Sequence, residues 1–168
     1  MTQQELEKAI QEVWALFKET DKKIAEVSKT VAALTGKWGR FVEGLIAPGT
    51  ISMFKERGIE VEKVYQRVRA HKDGKEIEID ILAINKEYAV LIEAKSTLGI
   101  EDVNEHIERL KAFKRFFPEY SDRKVIGAVA GGEEGADKFA YHQGLFVIGQ
   151  TGETVKILND KTFKPKIW

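Results

Sequence analysis

Two stretches, Ile77-Glu78-Ile79-Asp80-Ile81-Leu82 and Val90-Leu91-Ile92-Glu93-Ala94-Lys95, place charged groups inside runs that otherwise read as buried strands. Burying an unpaired carboxylate or ammonium is expensive. A fold that accepts these strands must therefore pair the charges with one another or with a metal ion. Two carboxylates and a lysine on adjacent strands can hold a hard divalent cation and a water beside a phosphate.

If the turn between these strands is the two residues Lys86-Glu87, it pairs Asn85 with Tyr88, and counting back sets Asp80 opposite Glu93; a three-residue turn spoils that register. Directly opposed residues of an antiparallel pair share a face, with Cβ atoms about 5 Å apart. Side chains alternate along a strand, so Glu93 and Lys95 point the same way. Two carboxylates that close repel unless a cation lies between them. Ala94 is small enough to let the backbone approach a ligand, and its carbonyl can add an oxygen donor. The bland alternative is a cross-strand ion pair on the wet face of a hairpin.

Upstream, residues 3–41 carry a heptad. Ile10, Phe17, Ile24, Val31 and Trp38 recur every seven residues, as do Leu6, Val13, Thr20, Val27, Leu34 and Phe41. These are the a and d positions of a coiled coil, and an apolar stripe this long needs a partner surface. The spacing predicts one helix about 50 Å long at 1.5 Å per residue, and a homodimer or higher homo-oligomer through residues 3–41. Trp14 and Leu16 widen the stripe, which also suits a helix folded back on its own domain.

The expected organisation is a helical arm over 1–36 and a domain over 37–168. Gly36 and Gly39 suggest a joint, with a helix from about Trp38 to Pro48 and another from Ile51 to Arg57. Strands follow at 61–70, 76–84 and 88–95, joined by an Asp73-Gly74 hairpin turn and the Lys86-Glu87 turn. Val103, Ile107, Leu110 and Phe117 lie on one face of a helix that Pro118 ends. A strand at 125–130, a helix at 133–143, a strand at 145–148 and an edge strand at 154–158 complete the chain. The fold class is α/β with a mixed sheet and helices on both sides.

With no cysteine there is no disulfide framework and no thiolate site. No apolar run spans a bilayer and the first residues lack a signal-peptide pattern, so the expectation is a soluble, cytoplasmic protein. Lys and Arg total 27 and so do Asp and Glu. This neutrality argues against a whole-surface nucleic-acid coat but leaves room for a local basic face.

The helix bearing Glu43, Asp80 after an apolar strand, and then Glu93-Ala94-Lys95 with a helix behind them resemble the PD-(D/E)XK nuclease superfamily, over roughly residues 38–150. The coiled coil and Gly39-Arg40-Phe41-Val42-Glu43 resemble an uncharacterised, coiled-coil-bearing branch. The resemblance implies a restriction-endonuclease-like αβββαβ core and metal-dependent phosphodiester cleavage, in DNA. It implies that Asp80, Glu93, the Ala94 carbonyl and Glu43 hold Mg²⁺ (or Mn²⁺). Lys95 orients or deprotonates the attacking water, and beside the bound cation a lowered pKa is expected for it. Ile79 stands where the family name has Pro. The alternative is a non-catalytic nucleic-acid- or protein-binding module on the same fold.

Tyr65, Arg67 and Arg69 alternate along one strand and are candidate phosphate contacts, as is His106 on the following helix. For the latter helix the ordinary alternative is a solvated face with a Glu105–Arg109 pair. Gly131-Gly132-Glu133-Glu134-Gly135 lacks the Lys-Ser/Thr of a phosphate loop and reads as a helix start.

Overall fold

The computed structural model describes the backbone of residues 2–132 and 134–168, and their side chains apart from those of residues 31–40, 43, 132 and 134. The chain divides into two compact units, Met1–Gly39 and Arg40–Trp168.

Helix α1, Gln3–Phe41, runs 39 residues. Thr2 and Glu5 open it reciprocally: the Glu5 N–H donates to Thr2 Oγ1 (3.2 Å) and the Thr2 N–H to Glu5 Oε2 (2.8 Å). This capping box satisfies amides that have no partner inside the helix. Side chains 2–30 are exposed throughout, including the a and d residues Leu6, Ile10, Val13, Phe17, Ile24 and Val27.

The helical backbone continues across Gly36 and Gly39, where the sequence suggested a joint. A π-helical turn, Val42–Ile46, leads into α2, Ala47–Lys55. Pro48 was expected to end a helix. It sits instead near the start of α2, inside a helical run that continues through the π-turn before it, with the Ala47 N–H donating to the Val42 carbonyl.

Six strands form one sheet in sequential order: β1 Lys63–Lys72, β2 Lys75–Ile84, β3 Tyr88–Leu98, β4 Lys124–Gly132, β5 Phe146–Thr151 and β6 Thr154–Ile157. The β3–β4 and β4–β5 pairs are parallel, and the others antiparallel. The parallel pairs are linked by α3, Ile100–Phe116, and α4, Glu134–His142. The sequence placed these elements to within a few residues.

Helix α3 packs Val103, Ile107, Leu110 and Phe113 on one face of the sheet, against Leu82, Leu91, Val125 and Val129. It approaches β4 closely at Gly127, where a Cβ would lie 2.6 Å from Leu110 Cδ1 and 2.7 Å from Leu145 Cδ2. On the α2 side, the Arg57 guanidinium donates to the carbonyls of Ile157, Asn159 and Asp160, tying the segment after β6 to the end of α2.

Candidate functional site

The strand register brings the charged residues together. Asn85 N–H donates to Tyr88 C=O at 3.0 Å, closing a two-residue turn. Asn85 Oδ1 reinforces it by accepting from the Glu87 and Tyr88 amides. The β2–β3 ladder then runs from Ile84↔Ala89 to Ile81↔Ile92 and stops. Its next rung would set Asp80 against Glu93. There the Asp80 carboxylate takes the place of a ladder carbonyl, accepting from the Ala94 N–H at 3.0 Å. β3 continues beside β4 through Glu93↔Val129 and Ala94↔Ala130, and that register breaks between Ala94 and Leu98. The carboxylates therefore sit where β2 and β3 part and Lys95 begins the irregular stretch.

The core-facing pattern of β2 also changes at this point. Ile77 and Ile79 face the α3 core, and so do Leu82 and Ile84. Strict alternation would have continued with residues 81 and 83. Asp80 and Ile81 fall within the switch. On β1 the residue opposite Asp80 is Arg67, which lies between the paired Gln66↔Ile81 and Val68↔Ile79 and has φ +51°. A left-handed non-glycine residue inside a strand is uncommon. It lets β1 turn Val68 and Ala70 toward the core cluster in step with Ile77 and Ile79.

Three polar residues of α3, spaced i, i+4 and i+7 along one face, engage β3. Asp102 Oδ1 accepts from Lys95 Nζ at 2.7 Å. His106 Nε2 lies 3.0 Å from the Leu91 carbonyl. Arg109 Nη1 donates to Glu93 Oε2 at 3.1 Å. Asp102 also accepts from the Gly99 N–H at 2.8 Å, closing the start of α3.

The electrostatics follow from this packing. Burial, then the neighbouring Asp80 charge, push the Glu93 pKa up to about 7, with Arg109 opposing them. The Gly99 N–H and the Lys95 ammonium hold Asp102 below the usual carboxylate range. The hydrogen bond from Lys95 to Asp102 raises the Lys95 pKa, because an exposed ammonium facing a carboxylate is favoured in its charged form.

The remaining candidates separate. His106 is 1% exposed, so it is neither a nucleic-acid contact nor part of a solvated helix face. Burial depresses its pKa to about 4, and its Nδ1 has no partner among the described residues. Arg109 faces Glu93, which replaces the anticipated Glu105–Arg109 pair. Arg69 meets its cross-strand neighbour Glu78 at 3.5 Å, with both side chains largely exposed. Tyr65 is 41% exposed opposite Leu82, and the Arg67 side chain is exposed. The Glu43 side chain lies outside the described residues. Asp102 is the residue the sequence reading missed, although the spacing of Asp102, His106 and Arg109 on one helical face marks it.

Among the described residues no three His, Asp or Glu side chains converge as a metal cage. The oxygen donors at hand are the carboxylates of Asp80 and Glu93 and the backbone carbonyl of Ala94. A buried carboxylate raised by a second carboxylate is a donor set that a hard divalent cation suits, and Mg²⁺ keeps several waters and needs few protein ligands.

No family model and no curated protein matches the chain. Solved structures similar to it include a repair endonuclease from Pyrococcus abyssi, at 21% identity and TM-score 0.40 over 60% of this chain and 43% of that one. A complex of EndoMS with double-stranded DNA matches at 17% identity and TM-score 0.35, over 62% and 43%. A protein of unknown function matches at 18% identity and TM-score 0.37, over 60% and 54%. The chain spans about half the length of these structures. Likeness at this level assigns neither fold family nor activity.

Proposed function

We propose that this chain is a metal-dependent nuclease with a PD-(D/E)XK-type site, hydrolysing phosphodiester bonds in DNA. The observation that carries the reading is the meeting of Asp80, Glu93 and Lys95 where β2 and β3 part, with Asp80 held by the Ala94 amide. The order α2, β1, β2, β3, α3, β4 fits the αβββαβ core of the restriction-endonuclease-like fold.

On this reading Asp80, Glu93 and the Ala94 carbonyl hold Mg²⁺ or Mn²⁺, with Glu43 completing the shell directly or through water. A bound metal supplies Lewis acidity, lowering the pKa of its water and offsetting charge on the phosphate. The chain's own groups fix the geometry. The Ala94 N–H orients Asp80, Arg109 positions Glu93, and Asp102 holds the Lys95 ammonium in place. Lys95 then orients the attacking water beside the phosphate, or takes its proton where a bound cation lowers the lysine pKa.

Helix α1 exposes its a and d residues, which supports assembly into a homodimer through residues 3–41. Two sites in such a dimer address both strands of a duplex.

Calorimetric titration with Mg²⁺ and Mn²⁺ followed by a plasmid-nicking assay tests the site. Binding of a divalent cation and nicking are expected, both lost in Asp80→Ala, with nicking alone lost in Lys95→Ala. No binding of either cation removes the reading. The specific observation favouring a non-catalytic DNA-binding module is that Lys95 and Glu93 already have partners, Asp102 and Arg109. That reading gains if DNA binds with equal affinity with and without metal and is never cut.

A further inference from the structure

A cavity of about 720 Å³ opens on the α2 side of the sheet, between the end of α2, the start of β3 and the chain after β6. Its volume lies within the range of small-ligand sites. Tyr88, at the start of β3, lines it, five residues from Glu93 along the strand. At 3.3 Å per residue that is about 16 Å from the carboxylate pair. Tyr88 also belongs to the alternate set of β3 positions, with Val90 and Ile92, that faces away from the α3 core. The cavity is therefore separate from the Asp80–Glu93 site in both position and sheet face.

Its wall combines two chemistries. Lys156, Lys161 and Lys164 line it, and none of their three ammoniums has a hydrogen-bonding or ion-pair partner among the described residues. Glu56 is the single acid on the wall. In a chain whose net charge is zero, this is a local concentration of positive charge. Three uncompensated ammoniums around one space repel each other and create a potential that gathers anions. The second element is aromatic. Tyr88 and Phe163, both half-buried, line the same space. Phe163 packs against Phe146, which also lines the cavity (centroids 5.2 Å apart), and against Tyr141 (4.9 Å). An aromatic face beside several ammoniums suits a planar ring carrying phosphates, because base stacking on aromatic side chains and phosphate–lysine attraction act together.

We propose that this cavity binds a nucleotide, with phosphates among Lys156, Lys161 and Lys164 and the base against the Tyr88 and Phe163 rings. The ligand is either a free nucleotide or the phosphorylated end of a single strand, since both present the same base and phosphate. The proposal does not depend on catalysis at Asp80 and Glu93.

The test uses the full chain in EDTA, where no divalent cation is available to the carboxylate site. Calorimetry or competition anisotropy is run with ATP, a 5′-phosphorylated penta-adenylate, adenosine and inorganic triphosphate. Saturable binding of ATP or the penta-adenylate is expected, weakening as salt rises from 50 to 200 mM. Adenosine and inorganic triphosphate are each expected to bind at least tenfold more weakly. The exposed double substitution Lys161→Glu with Lys164→Glu should reduce affinity at least tenfold while leaving the circular dichroism spectrum unchanged. Whichever of ATP and the oligonucleotide binds tighter identifies the source of the ligand. The proposal is overturned by no saturable binding at millimolar ligand, by affinity unchanged in the double variant, or by inorganic triphosphate binding as tightly as ATP. Loss of nicking in Asp80→Ala with nucleotide binding intact separates this cavity from the nuclease reading.

Discussion

Lowering the pH from 7 to 5 reads out how His106 is held between α3 and β3. The ring is 1% exposed, one nitrogen meets the Leu91 carbonyl, and the other has no partner among the described residues. Burial, aided by the Arg109 charge, depresses the pKa from 6.5 to about 4. A histidine with a depressed folded-state pKa favours the folded state above the unfolded value, and that contribution is lost as pH falls from 6.5 towards 4. The difference corresponds to about 3 kcal/mol in full, at 1.36 kcal/mol per pH unit. Between pH 7 and pH 5 the unfolded chain takes up about three-quarters of a proton at this site and the folded chain little, so about 2 kcal/mol is lost. The assay is urea unfolding of the wild type and His106→Gln at both pH values. Gln keeps an N–H donor for Leu91 but cannot be protonated. The other titrating groups contribute similarly to both proteins, so the difference between their pH effects isolates His106. Wild type should lose about 2 kcal/mol more than the variant. Equal losses would refute the burial of a neutral imidazole there.

Gly127→Ala should destabilise by about 1–3 kcal/mol in urea unfolding, because the new methyl meets Leu110 and Leu145 at under 3 Å. Asp102→Asn removes the charge that faces Lys95 while retaining an acceptor for the Gly99 N–H. A Lys95 pKa lower than in the wild type, followed by NMR of the Nζ-bound carbon, is the expected outcome. A Lys95 titration that does not move would contradict the pairing. Arg109→Met leaves Glu93 buried beside Asp80 without its counter-cation, so the Glu93 pKa should rise above about 7. Carbon-detected titration of the Glu93 carboxyl checks this. On the proposed assembly through α1 the wild type should sediment as a dimer, and Phe17→Glu, which puts a charge among the a and d residues, as a monomer; a wild type that sediments as a monomer would remove the assembly.

Much of the architecture was legible because it rests on local signals. The heptad from Leu6 to Phe41 marked α1, and Asn85-Lys86-Glu87 with its apolar flanks marked the β2–β3 turn. That turn fixed the register, which brings Asp80 level with Glu93, since a hairpin's pairing follows from turn length alone. Pro48 does not end a helix as its missing N–H suggests, because the backbone passes through a π-turn just before it and stays helical. The partners of the site charges were less legible. Glu105 and Arg109 make a plausible helical pair, yet Arg109 turns to Glu93, sixteen residues away in sequence.

The sequence by itself determined where most strands and helices lie and, for a two-residue turn, a register that sets Asp80 against Glu93 with Lys95 on the same side. These follow from periodicity and turn length, which are properties of neighbouring residues. Only the tertiary structure decided what each charge experiences. The packing of α3 on β3 sets Asp102 beside Lys95, Arg109 beside Glu93 and His106 in the interior. Desolvation and Coulomb interactions depend on distance in space, and the chain segments that supply them here meet only after the sheet and α3 have come together.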